Sequence, residues 1–256
     1  MAESRFTVAI RAQYNDHNDK CDIIARKNSE DLTPEQNAIF DQLSDEIKKR
    51  YYGAGLIIPE NLEGKRVLDI GCGSGSLVFI LSKLVGPTGY VVGMDISDKL
   101  IETAKSQIEY HQKAWGYSKP NCEFSVGNAE KLDFEPDSFD LIVSNGVYCL
   151  CPDKKGSFQS AYSVLKEGGQ FYLSDVYAER QLPAEYHDNE FLWNRRGVDV
   201  DAELATILSS SYLKDNFNFE DIDNEPSTHR NQNPFAYLDK LLAEGNAPDF
   251  IFKANE

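Results

Sequence analysis

Between Arg66 and Ile96 the spacing of apolar positions changes period twice. The short apolar run Val67-Leu68-Asp69-Ile70 breaks into Gly71-Cys72-Gly73-Ser74-Gly75, after which Leu77, Ile80, Leu81 and Leu84 recur at helical spacing. A turn signal, Gly86-Pro87-Thr88-Gly89, precedes the β-rich run Tyr90-Val91-Val92-Gly93-Met94, which ends on Asp95. The pattern predicts a strand, a glycine turn, a helix and a second strand with an acidic residue at its tip, a nucleotide-binding βαβ half.

The same patterning extends to both sides. Thr33-Pro34-Glu35 reads as a helix start, and Ile39, Phe40, Leu43 and Ile47 follow at helical spacing. Two helices are therefore expected over residues 1–50, placed as a cap. After Asp95, Ser97 is a suitable N-cap for a helix carrying Leu100, Ile101, Ala104 and Ile108 towards His111. Asn121 to Val126 and Phe139 to Asn145 read as the third and fourth strands, and Gly127-Asn128-Ala129-Glu130 as the loop between them. A helix over Ser157 to Lys166, stopped at Gly168-Gly169, leads to a fifth strand over Gln170 to Tyr177. Weaker helical patterns follow at Leu204–Leu208 and Phe235–Leu242, with late strands at Phe217–Ile222 and Phe250–Lys253.

The ligand class follows from details of the turn. Asp95 lies 24 residues after Gly71, near the spacing at which a carboxylate meets the two hydroxyls of a ribose. A dinucleotide fingerprint wants G-x-G-x-x-G, but the third glycine comes one position early, at Gly75, and Ser76 stands in its place. Asp69, two residues ahead of Gly71, suits a ligand ammonium or sulfonium and not a pyrophosphate. S-adenosylmethionine is favoured over NAD.

Composition narrows the rest. The chain has 256 residues, enough for one α/β domain with additions, and a net charge of −16 with no Lys/Arg cluster argues against a nucleic-acid partner. There is no apolar run long enough for a membrane span, and MAESRFTVAI lacks the features of a secretory signal. Five cysteines without framework spacing point to a reducing, cytoplasmic setting.

Asp69 to Gly75, Asp95, Gly127 to Glu130 and Phe139 to Asn145 together resemble the motif series of class I S-adenosylmethionine-dependent methyltransferases. Tyr51 to Glu60 (YYGAGLIIPE), Val143 to Asn145 with Pro152-Asp153-Lys154 behind them, and Tyr172 to Tyr177 (YLSDVY) look like arsenite methyltransferases in particular. The resemblance implies a Rossmann-like, doubly wound, mostly parallel seven-stranded sheet with an N-terminal helical cap over 1–50, a donor-binding core over 51–180 and acceptor-side elements over 181–256. It also implies that Tyr52, Gly71, Gly73, Gly75, Asp95, Ile96, Asn128, Ala129 and Asn145 hold S-adenosylmethionine, with S-adenosylhomocysteine as product.

The arsenic chemistry of that family carries over poorly. It places cysteines inside YYGCG, directly after the VSN asparagine, and shortly after an LW pair. Here those places hold Ala54, Gly146 and, after Leu192-Trp193, Asn194-Arg195-Arg196. Only Cys21 has a counterpart, although Cys149 and Cys151 near Gly146 could join it in a rearranged soft site. Cys72 and Cys122 read as structural, and no metal site is expected.

Methyl transfer from a sulfonium is an in-line displacement that needs positioning and dryness more than a general base. Candidates for acceptor contact are Tyr148, Cys149, Asp175, Tyr177, His187, Trp193 and Arg196. Three functions remain open at this point. One is methylation of a small molecule, such as a thiol or other soft acceptor. The others are arsenite methylation through relocated cysteines and non-catalytic donor binding.

Overall fold

A computed structural model describes residues 3–16, 33–50 and 58–175, together with the backbone of 177–178 and 200–201. Five parallel strands form its sheet: β1 (Arg66–Ile70), β2 (Tyr90–Asp95), β3 (Cys122–Val126), β4 (Phe139–Asn145) and β5 (Leu165–Ser174). They lie in the order β3-β2-β1-β4-β5. The order reverses beside β1, where connections leave in opposite directions and a crevice opens at the strand C-termini.

Side chains alternate across this sheet, as the twofold strand period requires. Leu68, Ile70, Val92, Met94 and Ile142 enter one apolar cluster, while Val67, Val91, Leu141 and Val143 enter the other. The first cluster is covered by helix α1 (Arg5–Asp16) through Ile10 and by helix α7 (Lys154–Val164) through Phe158, Ala161 and Val164. The second is covered by α2 (Pro34–Asp41), α3 (Asp45–Lys49), α4 (Ser76–Leu84), α5 (Asp98–Ser106) and α6 (Ile108–Trp115). Helices on both faces of a parallel sheet are the Rossmann-like, doubly wound arrangement of class I methyltransferases.

Local chemistry sets the helix starts. Thr33 caps α2 in a reciprocal pair: its hydroxyl accepts from Gln36 N–H, and the Gln36 side chain accepts from Thr33 N–H. Ser97 caps α5 by accepting from Leu100 N–H. The expected single helix from Ser97 to His111 is two helices, because the Gln107 N–H bonds back to Ala104 O in a tight turn. That break turns α6 so that His111 and Trp115 are buried.

Two further expectations are corrected. The helix read as ending at Lys166 ends at Val164, since Leu165 already pairs with Phe139 of β4. Register then jumps to Leu141 opposite Gln170, so Lys166 to Gly169 bulge out of β5 and do not stop a helix. Three helices, and not two, precede the sheet among the described residues.

Seven strands were expected in the sheet. The described sheet has five, and Tyr177–Ala178 (β6) pairs with Val200–Asp201 (β7) as a separate two-stranded parallel ribbon. The late elements expected at 204–208, 217–222, 235–242 and 250–253 lie outside the described residues.

Candidate functional site

At the end of β1 the chain turns at Gly71, whose φ is +76°. The Gly71 and Cys72 N–H groups both donate to Met94 O of β2, at 2.7 and 3.0 Å. A Cβ on Gly71 would come within 2.0 Å of a Val147 methyl, so this residue must be glycine for conformation and for space. Two residues on, the Gly73 N–H donates to Asp95 Oδ2 at 2.9 Å, and Ser97 N–H donates to Asp95 Oδ1 at 2.8 Å. The carboxylate at the tip of β2 is thereby fixed under the glycine turn. Each of its oxygens keeps acceptor capacity for a ligand.

Two acids are held nearly out of water here, Asp69 at 2 % exposure and Asp95 at 7 %. Burial, followed by the neighbouring charge of Asp95, pushes the Asp69 carboxyl up to about 8. Burial also raises Asp95, against the opposing pull of the Ser97, Gly73 and Ile96 N–H groups. A cation arriving between them would favour the ionised form of both.

The loop after β4 forms the opposite bank. Val147, Tyr148 and Cys149 all donate their N–H groups to Asp175 Oδ2, at 3.1, 2.7 and 3.2 Å. At the other end, Lys154 Nζ donates to the carbonyls of Tyr148, Cys149 and Cys151 at 3.1, 3.0 and 2.9 Å. Tyr148–Leu150 is a single 3-10 turn with an anion on its N–H end and a cation on its carbonyl end. Glu130 adds a third tie, accepting from Asp153 N–H at 2.7 Å.

Between these banks runs a cleft of about 1030 Å³, counting its open mouth. Asp69, Gly71, Gly73, Asp95, Ile96, Asn128, Ala129 and Asn145 all line it, so the structure brings together eight of the ten residues named for donor contact. Asn128 turns its side chain onto its own loop, accepting from Glu130 N–H at 2.9 Å. Gly75 does not line the cleft. It ends the turn at φ +92°, where a Cβ would lie 2.7 Å from the Phe124 ring, so its smallness serves helix–sheet packing. Tyr52 lies outside the described residues.

The acceptor candidates fare differently. Tyr148 is fully buried against Phe158 and Phe171, and Cys149 is buried beside it; neither lines the cleft. Asp175 is the acceptor for the three N–H groups described above and does not line the cleft either. The Tyr177 side chain, His187, Trp193, Arg196, Cys21 and Ala54 lie outside the described residues. Cys151 does line the cleft, but its thiol is buried, which pushes it up to about 12, and Cys149 is raised well above the ordinary range for the same reason. Cys72 and Cys122 are buried. Among the described residues no cluster of His, Cys, Asp and Glu is arranged to hold a metal.

The N-terminal helices were expected as a cap, but the pattern did not single out which of their residues reach the cleft. Thr7, Ile10 and Tyr14 of α1, and Arg50 just after α3, line the cleft. The only sequence signal was their spacing, since Thr7, Ile10 and Tyr14 fall on one face of a helix.

A protein-family model described as "Methyltransferase domain" matches residues 61–230. The chain is 42 % identical over 152 residues to arsenite methyltransferase of Mus musculus, covering 58 % of this chain and 40 % of that protein. It is 40 % identical over 158 residues to arsenite methyltransferase of Aquipseudomonas alcaligenes, covering 60 % and 45 %. The chain thus spans less than half the length of these relatives. Among solved structures, an arsenic(III) S-adenosylmethionine methyltransferase from Chlamydomonas reinhardtii is similar, with a TM-score of 0.60, 39 % identity and coverage of 63 % of this chain and 55 % of that one.

Proposed function

The chain belongs to the methyltransferase domain family, and from that premise we propose that it moves a methyl group from S-adenosylmethionine to a small-molecule acceptor, a thiol or another soft nucleophile. The observation that carries this reading is the pair of buried carboxylates, Asp69 and Asp95, facing one cleft across a glycine turn.

The residues present fit the donor. At Gly73 a Cβ would meet no atom within 4 Å, so the backbone leaves free space beside the cleft. Asp95 keeps lone pairs for ribose hydroxyls, and Asp69 offers a carboxylate to the ammonium end. The donor supplies a methyl group already activated by positive sulfur. The chain's own task is to orient the acceptor and keep water out. Asp175 and Lys154 serve that task by holding the Gly146 to Pro152 bank in one conformation.

Arsenite methylation is the second reading, favoured by the identity to arsenite methyltransferases. Against it, Gly146 stands at φ +67° where the resemblance places a cysteine, and the thiols of Cys149 and Cys151 are raised by burial. A soft metalloid binds thiolate, and here the proton is hard to remove.

Calorimetric binding of S-adenosylmethionine, followed by mass spectrometry with a panel of small thiols and As(III), tests both. Methylated thiol without methylated arsenic supports the first reading. Methylated arsenic that disappears when Cys21, Cys149 and Cys151 are replaced supports the second. Donor binding with no methylated product from any acceptor would sink both in favour of a non-catalytic binding protein.

A further inference from the structure

Among the described residues, one buried side-chain polar atom has no hydrogen-bond partner: the hydroxyl of Thr7. Thr7 is 2 % exposed and lines the cleft, in the first turn of α1 and on the same face as Ile10 and Tyr14. A hydroxyl kept from water with nothing to bond is unfavourable. Such groups are rare in folded proteins, and one that faces a ligand cleft is satisfied when a polar ligand arrives.

Helix α1 is not casually placed over this cleft. Arg11 Nε donates to Ile96 O at 3.3 Å, with its guanidinium gripped by Glu3. Asn15 Nδ2 donates to Asp98 Oδ1 at 2.7 Å, and Ser97 Oγ donates to Asn15 Oδ1 at 2.6 Å. All three anchor points directly follow Asp95, the carboxylate assigned to the ribose. Ile10, one turn from Thr7, packs in the cluster that holds Met94, Ala129 and Leu150. The hydrogen bonds tie the Arg11 to Asn15 half of the helix to the residues that follow β2.

We propose that α1 is the outer wall of the nucleoside half of the donor site, and that the Thr7 hydroxyl hydrogen-bonds to the adenosine moiety of the bound donor. This rests on the reading of the cleft as an S-adenosylmethionine site. It assigns donor recognition to a segment that none of the strand-end motifs contains.

The test uses the full chain as wild type, Thr7→Val and Thr7→Ser. Melting temperature is measured on the free protein, and calorimetry is run with S-adenosylhomocysteine and with 5′-methylthioadenosine, which lacks the amino-acid tail. Valine keeps the shape and removes an unpartnered hydroxyl, so free Thr7→Val should melt no lower than wild type. It should bind both ligands about 5–10-fold more weakly, the equivalent of one ordinary hydrogen bond. Thr7→Ser should bind like wild type. Unchanged affinity in Thr7→Val would overturn the proposal, as would a lower melting temperature of the free protein, which would mark a packing role. A loss confined to S-adenosylhomocysteine would move the contact to the amino-acid end and overturn the nucleoside assignment. If wild type binds neither ligand, the donor reading itself fails, whatever the variants do.

Discussion

The Asp95 carboxylate accepts from the Gly73 main-chain N–H at 2.9 Å, so the tip of the second strand and the turn after the first form one rigid piece. Removing the charge of Asp95 should therefore act on donor binding twice, through the ribose contact and through the shape of the turn. Asp95→Asn is expected to weaken S-adenosylmethionine binding about 10–100-fold, the range for a hydrogen bond to a charged group. Calorimetry on the purified variant reads this directly, and affinity within threefold of wild type would count against the ribose assignment.

Donor binding should depend on pH through Asp69. Its carboxyl, raised to about 8, carries a proton in the free protein at neutral pH. A cationic ligand favours the carboxylate, so binding releases that proton, and affinity should climb as pH rises towards 8 and then level. Calorimetry at pH 7 in buffers of different ionisation enthalpy should show proton release for wild type and much less for Asp69→Asn. Equal release from both would detach Asp69 from the ligand cation.

Asp175 is expected to matter for stability before it matters for chemistry. Asp175→Ala leaves the Val147, Tyr148 and Cys149 N–H groups to find another acceptor, at about 1–3 kcal/mol for each one that fails. A fall in melting temperature of roughly 10 °C is expected for a chain of this size. Asp175→Asn keeps an acceptor oxygen and should fall less. An unchanged melt for Asp175→Ala would mean the bank is held by other contacts.

Acid should loosen the attachment of the N-terminal helices to the core. His111 Nδ1 lies 2.8 Å from Gln107 O, and its Nε2 accepts from the Ser44 N–H at 3.3 Å, while its ring stacks on Phe79. These bonds need the neutral ring, and burial lowers its pKa to about 4. The unfolded chain, near 6.5, binds the proton more readily, so stability is full above about pH 6.5 and declines as pH falls towards 4. The whole window is worth at most about 3.5 kcal/mol at about 1.4 kcal/mol per pKa unit. Urea melts at pH 7 and pH 4.5 should differ more in wild type than in His111→Gln, and equal differences would remove His111 as the source.

Much of the site is legible in the sequence because its parts are chemically unusual. A glycine at φ +76° with a methyl 2.0 Å from its missing Cβ admits no other residue, and an acid at a strand tip stands out in an apolar run. The bulge in β5 is not legible: Glu167-Gly168-Gly169 reads as a helix stop until Leu165 is seen pairing with Phe139. Asp175 reads as a candidate for acceptor contact at a strand end. Its three partners lie 26 to 28 residues earlier, and nothing local in YLSDVY announces them. Tyr148 and Cys149 sit beside the cleft in sequence, yet a single 3-10 turn is enough to send them inward while Val147, Leu150 and Cys151 face it.

The anchors of α1 on Ile96 and Asp98 span 85 and 83 residues of chain. Contacts that close such long loops gain nothing until the sheet between them exists, so this helix is expected to dock late in folding and to detach before the strands do. The wall nearest the ribose carboxylate would then be the least durable part of the cleft. Hydrogen exchange should find the amides of Ile10 and Arg11 opening far more often than those of Leu68 and Ile70, and a bound nucleoside should slow the first pair selectively. Ligand entry and escape would in that case be timed by the fraying of one helix, with the sheet beneath it undisturbed.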